Sequence, residues 1–398
     1  MIRLDNPTQH YGWGSTTSIP DLLGLPATSE PVAELWMGAH RSAPSHVTTG
    51  AGESGLDALI ANDAGVLMGA DVVAQFGTVL PYLLKIIAAQ SPLSLQVHPD
   101  IMAARRGYAA ENAAGIPVDA PHRSYRDGNH KPELIYALTP LDALCGFRTP
   151  RRAAQLLSDL DAPLAQRLSE LLTAQPSSTG VRAAFTQLLE PGTRPMPDEV
   201  GEVVAACAAR LADGSPSPLA DRIVALLADA YPGDPGVVTS LLLNPVTLLP
   251  AEAMFIPAGC VHAYLHGMGV EIMASSDNVL RAGLTPKHVD VDELLRTVDY
   301  LPAPPIRIVP EIFHGATRVF CTPVEDFELS VTTVDDDVDH PMPGRGPRIL
   351  LCLDGYLTVA SSRDESITLN KGESLFAPAS DGELLARGRG TLVQADVP

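Results

Sequence analysis

One segment of the chain reads Leu248-Leu-Pro-Ala-Glu-Ala-Met-Phe-Ile-Pro-Ala-Gly-Cys-Val-His262-Ala-Tyr264. Apolar and polar residues alternate up to a Pro-Ala-Gly turn, which indicates a β-strand with one buried face. The start of this segment recurs as Leu369-Asn-Lys-Gly-Glu-Ser-Leu-Phe-Ala-Pro-Ala379, at a constant offset of 121 residues. The repeat predicts a mainly β fold with two copies of one antiparallel unit, for which a jelly-roll barrel is the usual form.

The first copy presents His262 after its turn, and we expect this side chain to point into the barrel. The equivalent position of the second copy is Glu383, and no Gln-x-His segment precedes it. Repetition of a fold does not carry chemistry with it. We therefore expect the C-terminal copy to be metal-free and structural.

A second informative segment is Ser91-Pro-Leu-Ser-Leu-Gln-Val-His-Pro-Asp100. Gln96 and His98 are two residues apart, so on a strand they share one face. Pro99 favours extended backbone at His98. Without further ligands this histidine would be an ordinary hydrogen-bonded residue at the end of a core strand.

The chain supplies further candidate ligands. The segment Asn129-His-Lys-Pro-Glu133 precedes Leu134-Ile-Tyr-Ala-Leu138, so Glu133 lies at the mouth of a predicted strand, where a carboxylate is hard to explain as core. Two imidazoles, one carboxylate and one carboxamide suit a divalent ion such as zinc. Only Cys260 lies near a proposed ligand, whereas structural zinc sites are usually closed and rich in thiolates. We therefore predict one zinc ion per chain, with a coordination position open to substrate or water.

The hydrophobic period changes along the chain. Strand-like sequence with a few short helices, one of them near 55–61, extends to about Pro150, and residues 151–229 show helical periodicity. We predict a mainly β protein with an α-helical insertion: a β domain with the metal site at 1–150 and 237–310, a helical subdomain at 151–236 and a second β domain at 311–398. The acidic cluster Asp335–Asp337 is interpreted as a solvated loop.

The charge composition restricts the partners. The chain carries 47 Asp plus Glu against 27 Lys plus Arg, a formal net charge of −20. Nucleic acid and anionic membranes are therefore disfavoured, because both require clustered basic surface. Only four lysines are present, and three of them, Lys85, Lys131 and Lys287, lie in or beside the motifs of the chain, while Lys371 resembles a turn residue. An anionic ligand would need such a local cationic pocket.

The cysteines and the N-terminus predict a compartment. The five cysteines are odd in number and widely separated, without a Cys-x-x-Cys pair, which favours a reducing environment. The N-terminal segment lacks a basic stretch followed by an apolar core, and no apolar run is long enough to span a membrane. We expect a cytoplasmic protein.

The segments around Gln96, Glu133 and His262 resemble those of class I mannose-6-phosphate isomerases, a metal-dependent family built on cupin barrels. The resemblance spans much of the chain, through Tyr11-Gly-Trp-Gly-Ser15, Ala33-Glu-Leu-Trp-Met-Gly-Ala-His40, the Gln-x-His and His-Lys-Pro-Glu segments, and Glu271-Ile-Met-Ala-Ser-Ser-Asp-Asn-Val-Leu-Arg281-Ala-Gly-Leu-Thr-Pro-Lys287-His288. Several long motifs in one order are specific. Ser275 stands where the family usually has Asn, and Ala282 where it often has Gly.

The resemblance implies reversible conversion of D-mannose 6-phosphate to D-fructose 6-phosphate through an enediol or enediolate. It makes Gln96, His98, Glu133 and His262 the metal ligands, and Arg281 the family's catalytic arginine. A guanidinium stays charged, so Arg281 would stabilise negative charge rather than remove a proton. The alternative for Arg281 is an ion pair with Asp277.

The resemblance also implies the other members of the site. Lys131, Asp277 and Glu271 are the candidates for proton transfer, and the alternative for Lys131 is a contact to phosphate or to the metal shell. The remaining residues expected to bind substrate are Ser94, Lys85, Glu271, Lys287 and Trp13. Each of these could instead have a structural role, and a large aromatic such as Trp13 is more often part of a core.

Two other classes of function stay open. A metal-dependent cupin enzyme of different chemistry, such as an oxygenase, would use the same barrel but normally a histidine-rich iron site. A non-catalytic sugar-phosphate sensor would bind the sugar phosphate without turnover. The sequence does not specify an oligomeric state, and a monomer is compatible with it.

Overall fold

The computed structural model describes residues 1–50 and 52–398. Within them the chain forms two large antiparallel sheets, a region of packed helices and a small hairpin of His46–Thr49 with Gly52–Gly55. The predicted mainly β architecture with a helical insertion is confirmed.

The larger of the two, which we call the large sheet, contains eleven strands in the described part of the chain. Its main path runs through Ile306–Ile308, Ala253–Ile256, Glu133–Ala137, His262–Ala274, Tyr82–Ala89, Glu34–Gly38 and Thr8–Gln9, and the strands Leu243–Leu248, Leu141–Phe147, Gln96–Val97 and Leu280–Arg281 pair beside it. Strands Tyr82–Ala89 and Glu133–Ala137 are buried along their whole length. The polar residues in these strands therefore need partners inside the protein.

The C-terminal sheet contains eight strands of the described chain. They are Ile2–Leu4, Ser374–Ala377, Arg348–Ser361, Leu384–Asp396, Glu328–Pro341, Thr317–Phe320, Glu311–Phe313 and Ser366–Asn370. The sequence repeat is visible here, because Ser374–Ala377 begins and ends 121 residues after Ala253–Ile256 of the large sheet. Glu383, the equivalent of His262, lies at the surface and forms an ion pair with Arg345 at 2.7 Å.

Along the sequence, most of the helices lie between the N-terminal and the C-terminal strands of the large sheet. Pro150–Ser158, Pro163–Ala174, Ser178–Leu189, Pro197–Ala212 and Pro218–Ala230 form the insertion, followed by Gly236–Thr239 and the 3₁₀ turn Ser240–Leu242. Four of these helices begin with proline, whose fixed φ and missing N–H suit the first turn. The other helical segments are Ser18–Leu22, Leu56–Asn62, Ala64–Met68, Ala70–Phe76, Ile101–Ala113, Val291–Thr297 and the 3₁₀ turn Ala379–Asp381.

Two of the hydrophobic clusters in the described part of the chain join these layers. The helical insertion packs on the side chains of Val97, Val261 and Ala263. These residues neighbour the predicted ligands His98 and His262 in sequence, so the insertion covers one face of the ligand-bearing segments. The other core lies between the two sheets and joins residues such as Tyr136 and Phe320, whose rings lie 5.4 Å apart between centroids.

Two sequence expectations need correction. Asp335–Asp337 is not a loop but lies within the strand Glu328–Pro341, where the three carboxylates are exposed and the pairing register shifts after Asp336. The strand forms there because its backbone pairs with Leu384–Asp396, and this pairing cannot be predicted from the charge of the side chains. The region before Pro150 also holds a helix of 13 residues, Ile101–Ala113, capped by Asp100. The helix expected near 55–61 is present as Leu56–Asn62.

The domain boundaries stay a proposal. The strand Ile2–Leu4, at the start of the chain, pairs with Ser374–Ala377 in the C-terminal sheet. The N-terminal β region therefore contributes one strand to the sheet of the C-terminal region. Of the helices in the described ranges, none combines the length and the apolar character required to cross a lipid bilayer.

Candidate active site

The four predicted ligands are brought together by neighbouring strands of the large sheet. Gln96 is paired with His262 on one side and with Arg281 on the other. His98 follows directly after the strand Gln96–Val97, and Glu133 is the first residue of its own strand. Glu133 lies opposite Met273, near the far end of the strand that begins at His262, so the sheet must curve to bring its carboxylate to His262.

Glu133 lies between the two histidines. Its Oε1 is 3.2 Å from Nε2 of His98 and its Oε2 is 3.3 Å from Nε2 of His262. All three side chains are at least 95% buried. Nζ of Lys131 lies 3.4 Å from Oε1 of Glu133, so the carboxylate has three nitrogen neighbours.

Backbone carbonyls set the orientation of both imidazoles. Nδ1 of His98 lies 2.8 Å from the carbonyl oxygen of Asn278, and Nδ1 of His262 lies 3.0 Å from that of Cys260. A carbonyl oxygen only accepts, so each Nδ1 carries the proton and each Nε2 of a neutral ring offers a lone pair. Such contacts are the usual way in which metal-binding histidines are oriented.

Nε2 of His98 is then a buried nitrogen without a hydrogen-bond partner, although Oε1 of Glu133 is close. Burial lowers the pKa of His98 to about 4, so the ring is neutral at physiological pH. Burial opposes ionisation of Glu133, but the positive charge of the neighbouring Lys131 lowers its pKa well below the ordinary value. Two acceptor atoms thus face each other in a buried site, which a divalent cation would satisfy.

The geometry fits a metal ion. The ligand atoms of His98, Glu133 and His262 lie within 4.8 Å of one another. Gln96 lines the same pocket, and its Nε2 donates to Oγ of Ser94 at 3.4 Å, which leaves its carboxamide oxygen to act as a ligand. The thiol of Cys260 contacts Cys145 at 3.6 Å instead of joining the site. The donor set is therefore mixed nitrogen and oxygen, as the sequence predicted.

Several charged side chains line the pocket beside these ligands. Lys85 lies across the ladder from both Trp36 and Glu271, with Nζ 3.4 Å from Glu271 and 4.0 Å from Glu34. Burial opposes the charge of Lys85, but Glu34 and Glu271 raise its pKa above the ordinary value. Glu34 also accepts from Nε1 of Trp36 at 2.6 Å, and Glu271 accepts from the hydroxyl of Tyr264 at 2.9 Å. The pocket is thus lined on this side by fixed polar groups.

Three cations, Arg126, Arg281 and Lys287, are close enough to affect one another's ionisation, and Arg281 lies opposite the proposed ligand Gln96. Burial and then Arg126 lower the pKa of Arg281, and burial, Arg281 and Arg126 lower that of Lys287. Among residues 1–50 and 52–398, none of the three has an ion-pair partner. A cluster of uncompensated cations in a protein of net charge −20 is suited to an anion.

Asp277 does not pair with Arg281. Its Oδ1 lies 3.4 Å from Nε2 of His40, and its Oδ2 lies 3.7 Å from Arg41. Burial opposes ionisation, but His40 lowers the pKa of Asp277 to about 2. The ion pair weighed as the alternative for Arg281 is therefore not what the structure contains.

The remaining predicted residues differ in their surroundings. Ser94 contacts Gln96, whereas Trp13 stacks on Tyr11 with centroids 5.6 Å apart and packs against a hydrophobic cluster. Sequence reasoning assigned no role to Glu34, Tyr264, Asn278, Arg126 or Asp326. A signal existed for Glu34, because a carboxylate in the apolar strand Glu34–Gly38 requires a buried partner.

The comparisons with known proteins agree with this geometry. The sequence-family model of the catalytic domain of type I phosphomannose isomerase matches residues 1–150. The mannose-6-phosphate isomerase of Escherichia coli strain K12 is 37% identical over 408 aligned residues, which cover 99% of each chain. The human mannose-6-phosphate isomerase is 30% identical over 411 residues, which cover 96% of this chain and 94% of the human one.

Solved structures give the same result. A mannose 6-phosphate isomerase in a zinc-bound form has a TM-score of 0.89 at 36% identity and covers 99% of this chain, with 98% of its own chain matched. A point mutant of the phosphomannose isomerase from Salmonella typhimurium has a TM-score of 0.90 at the same identity and coverage. The likeness extends over both sheets and the helical insertion.

Proposed function

The chain belongs to the type I phosphomannose isomerase family, and from this we propose that it interconverts D-mannose 6-phosphate and D-fructose 6-phosphate at a zinc centre. The observation that carries the proposal is the buried cluster of His98, Glu133 and His262 beside the cationic pocket. Gln96 completes the proposed ligand set. The solved relative with zinc supports this choice of metal.

Zinc bound there would act as a Lewis acid, polarising a substrate oxygen near the reacting carbons. The fit is supported by the orphaned Nε2 of His98 and by the two imidazoles held through their Nδ1 atoms. The four ligands carry one negative charge between them, so the loaded site would keep a charge of about +1 and attract an anionic substrate.

The reaction moves one proton between C2 and C1 of the open-chain sugar and one between the oxygens on these carbons, through an enediol or enediolate. We assign proton transfer to Lys131, whose ammonium lies 3.4 Å from Glu133 and therefore beside the metal ligands. Asp277 and Glu271 are the other candidates, and the low pKa of Asp277 keeps it ionised at neutral pH. Arg281 would stabilise the negative charge that develops on the enediolate oxygen.

The phosphate group would bind where the cations are uncompensated. We assign it to Arg126, Arg281 and Lys287, since Arg126 lowers the pKa of the other two and none of the three forms an ion pair in the described part of the chain. Lys85, in contrast, is paired with Glu271 and Glu34, which suits hydrogen bonds to sugar hydroxyls better than binding of a dianion. Ser94 lies beside Gln96 and would contact the sugar near the metal.

A coupled assay that detects fructose 6-phosphate formed from mannose 6-phosphate tests the proposal. Purified protein would be assayed as isolated, after chelation, and after addition of zinc. We expect activity that disappears on chelation and returns with zinc. Absence of turnover in zinc-loaded protein that still binds mannose 6-phosphate would identify a sensor, and iron content with oxygen uptake would identify a different cupin enzyme.

A further inference from the structure

Asp326, from the C-terminal part of the chain, contacts the segment that carries Lys131. Its two carboxylate oxygens each lie 3.0 Å from Nε2 of His130, across 196 positions of sequence. The Asp326 side chain is 8% exposed and that of His130 23%. The loop between the strands Thr317–Phe320 and Glu328–Pro341 therefore contacts His130, the residue next to Lys131.

The backbone that presents Asp326 is held firmly. The next residue, Phe327, is fully buried in the core between the two sheets. The hydroxyl of Thr322 donates to the Phe327 carbonyl at 2.7 Å, and Nε2 of Gln75 donates to Glu325 at 2.6 Å. The carboxylate is thus supplied by a fixed connection and not by a free loop tip.

The segment on the other side of the contact has a second anchor. The carbonyl of Asn129 accepts from Nδ2 of Asn278 at 2.9 Å, and Nδ2 of Asn129 donates to the carbonyl of Ser275 at 3.2 Å. These bonds tie the segment to the chain before Arg281. His130 is the next residue, and its ring is held from the C-terminal side by Asp326.

We propose that Asp326 is a positioning residue of the isomerase: by fixing the His130 ring, it holds the ammonium group of Lys131 beside Glu133 and the reacting carbons. This inference rests on the function proposed above for Lys131. Positioning errors of about 1 Å can reduce turnover by about a hundredfold, so support of this kind has a measurable kinetic effect. The C-terminal region would then contribute to catalysis although it supplies no metal ligand in the proposed set.

The test compares three variants of the full-length, zinc-loaded protein. Asp326→Ala removes the contact, and Asp326→Asn keeps an acceptor oxygen of the same reach for the His130 N–H. The matched control is Asp336→Ala. It removes an Asp–His hydrogen bond of 2.9 Å to His340 in an exposed part of the C-terminal sheet. The measurements are kcat, KM for mannose 6-phosphate, zinc content and the thermal unfolding midpoint.

We expect Asp326→Ala to lower kcat by about tenfold to a hundredfold, with zinc content and KM close to those of the wild type. Asp326→Asn should recover most of the kcat, and Asp336→Ala should not change it. A wild-type kcat in Asp326→Ala, equal kcat values in the Ala and Asn variants, or loss of zinc in parallel with activity would each overturn the inference.

Two further controls keep the result interpretable. If the wild type itself has no isomerase activity, the proposed function has failed, whereas an active wild type with an unaffected Asp326→Ala variant refutes only the role of Asp326. If Asp326→Ala does not fold, Asp326→Glu replaces it, because the longer side chain shifts the carboxylate and displaces the His130 ring. A wild-type kcat in Asp326→Glu would then overturn the inference.

Discussion

Gln96 faces Arg281 directly across the antiparallel strands Gln96–Val97 and Leu280–Arg281. Residues opposite each other in such a pair project their side chains from the same face of the sheet. The proposed carboxamide ligand and the proposed catalytic guanidinium are therefore neighbours by register. A guanidinium has no lone pair to offer a metal ion, so removal of Arg281 should affect chemistry and not metal binding.

Replacement of Arg281 by alanine should lower kcat by about a hundredfold or more, as loss of a group that stabilises transition-state charge does. Zinc content, measured by plasma mass spectrometry, should stay near one ion per chain. The control is Arg106→Ala, an exposed arginine on the helix Ile101–Ala113. Loss of zinc together with activity would show that the role assigned to Arg281 is wrong.

Replacement of His262 by alanine should remove both zinc and activity, because it deletes a nitrogen that lies 3.3 Å from Glu133 in the buried cluster. His266, four residues further along the same strand, is exposed and provides the matched control. We expect His266→Ala to keep its zinc and its turnover. Full zinc occupancy in His262→Ala would exclude this histidine as a ligand.

The loss of positive charge at Lys85 should destabilise the protein. Lys85→Met leaves the carboxylates of Glu34 and Glu271 buried without their shared cation, and breaking a buried ion pair in this way costs about 3–5 kcal/mol. Lys371→Met breaks an exposed pair with Asp21 of 3.1 Å and should cost less than about 1 kcal/mol.

A double variant checks the cause of this effect. Adding Glu271→Gln to Lys85→Met removes one of the two unpaired charges, so chemical unfolding should show part of the lost stability recovered. Equal destabilisation by Lys85→Met and Lys371→Met, or no recovery in the double variant, would contradict the proposed charge balance.

Anion binding by the cation cluster can be tested separately from chemistry. Arg126→Ala should raise KM for mannose 6-phosphate by about tenfold, since a hydrogen bond to a charged group contributes about 1.5–3 kcal/mol. The change in kcat should be smaller. Inhibition by inorganic phosphate should weaken in parallel, and an unchanged inhibition constant would place the phosphate elsewhere.

The sequence was most informative where the proposed ligands lie at fixed positions relative to strands. Gln96 and His98 could be predicted as candidate metal ligands because they are two residues apart, and Glu133 because it lies at the start of an apolar strand. The helical insertion followed from periodicity alone. These are local patterns, and the structure contains the elements that they predicted.

The partners of these residues were not recognisable in the same way. The carbonyl that orients His98 belongs to Asn278, 180 positions away, and the carboxylate that contacts His130 is 196 positions away. Such contacts depend on which strands pair and how the two sheets pack, and no local pattern records that. Asp335–Asp337 was misjudged for the related reason that ladder pairing outweighs an acidic side-chain composition.

A pH-dependent contribution to stability should come from Asp396, at the end of the strand Leu384–Asp396. Burial raises the pKa of this carboxyl to about 7, against the opposing effect of the buried Arg348 and with a further increase from Glu328 opposite. In the unfolded chain its pKa would be about 3.9. Between these values the folded state binds the proton and the unfolded state does not.

The sign of the effect follows from this difference. The contribution is fully present below about pH 4 and is lost as the pH rises through about 7, because ionisation is then harder in the folded state. Asp396→Asn is neutral at every pH, so its stability relative to the wild type should increase by about 2.5 kcal/mol between pH 5 and pH 8. Urea unfolding of both proteins at the two pH values measures this, with the exposed Asp339→Asn as the control. Because other titrating groups cancel between wild type and variant, an equal difference at pH 5 and pH 8 would mean that Asp396 is already ionised in the folded protein throughout this range.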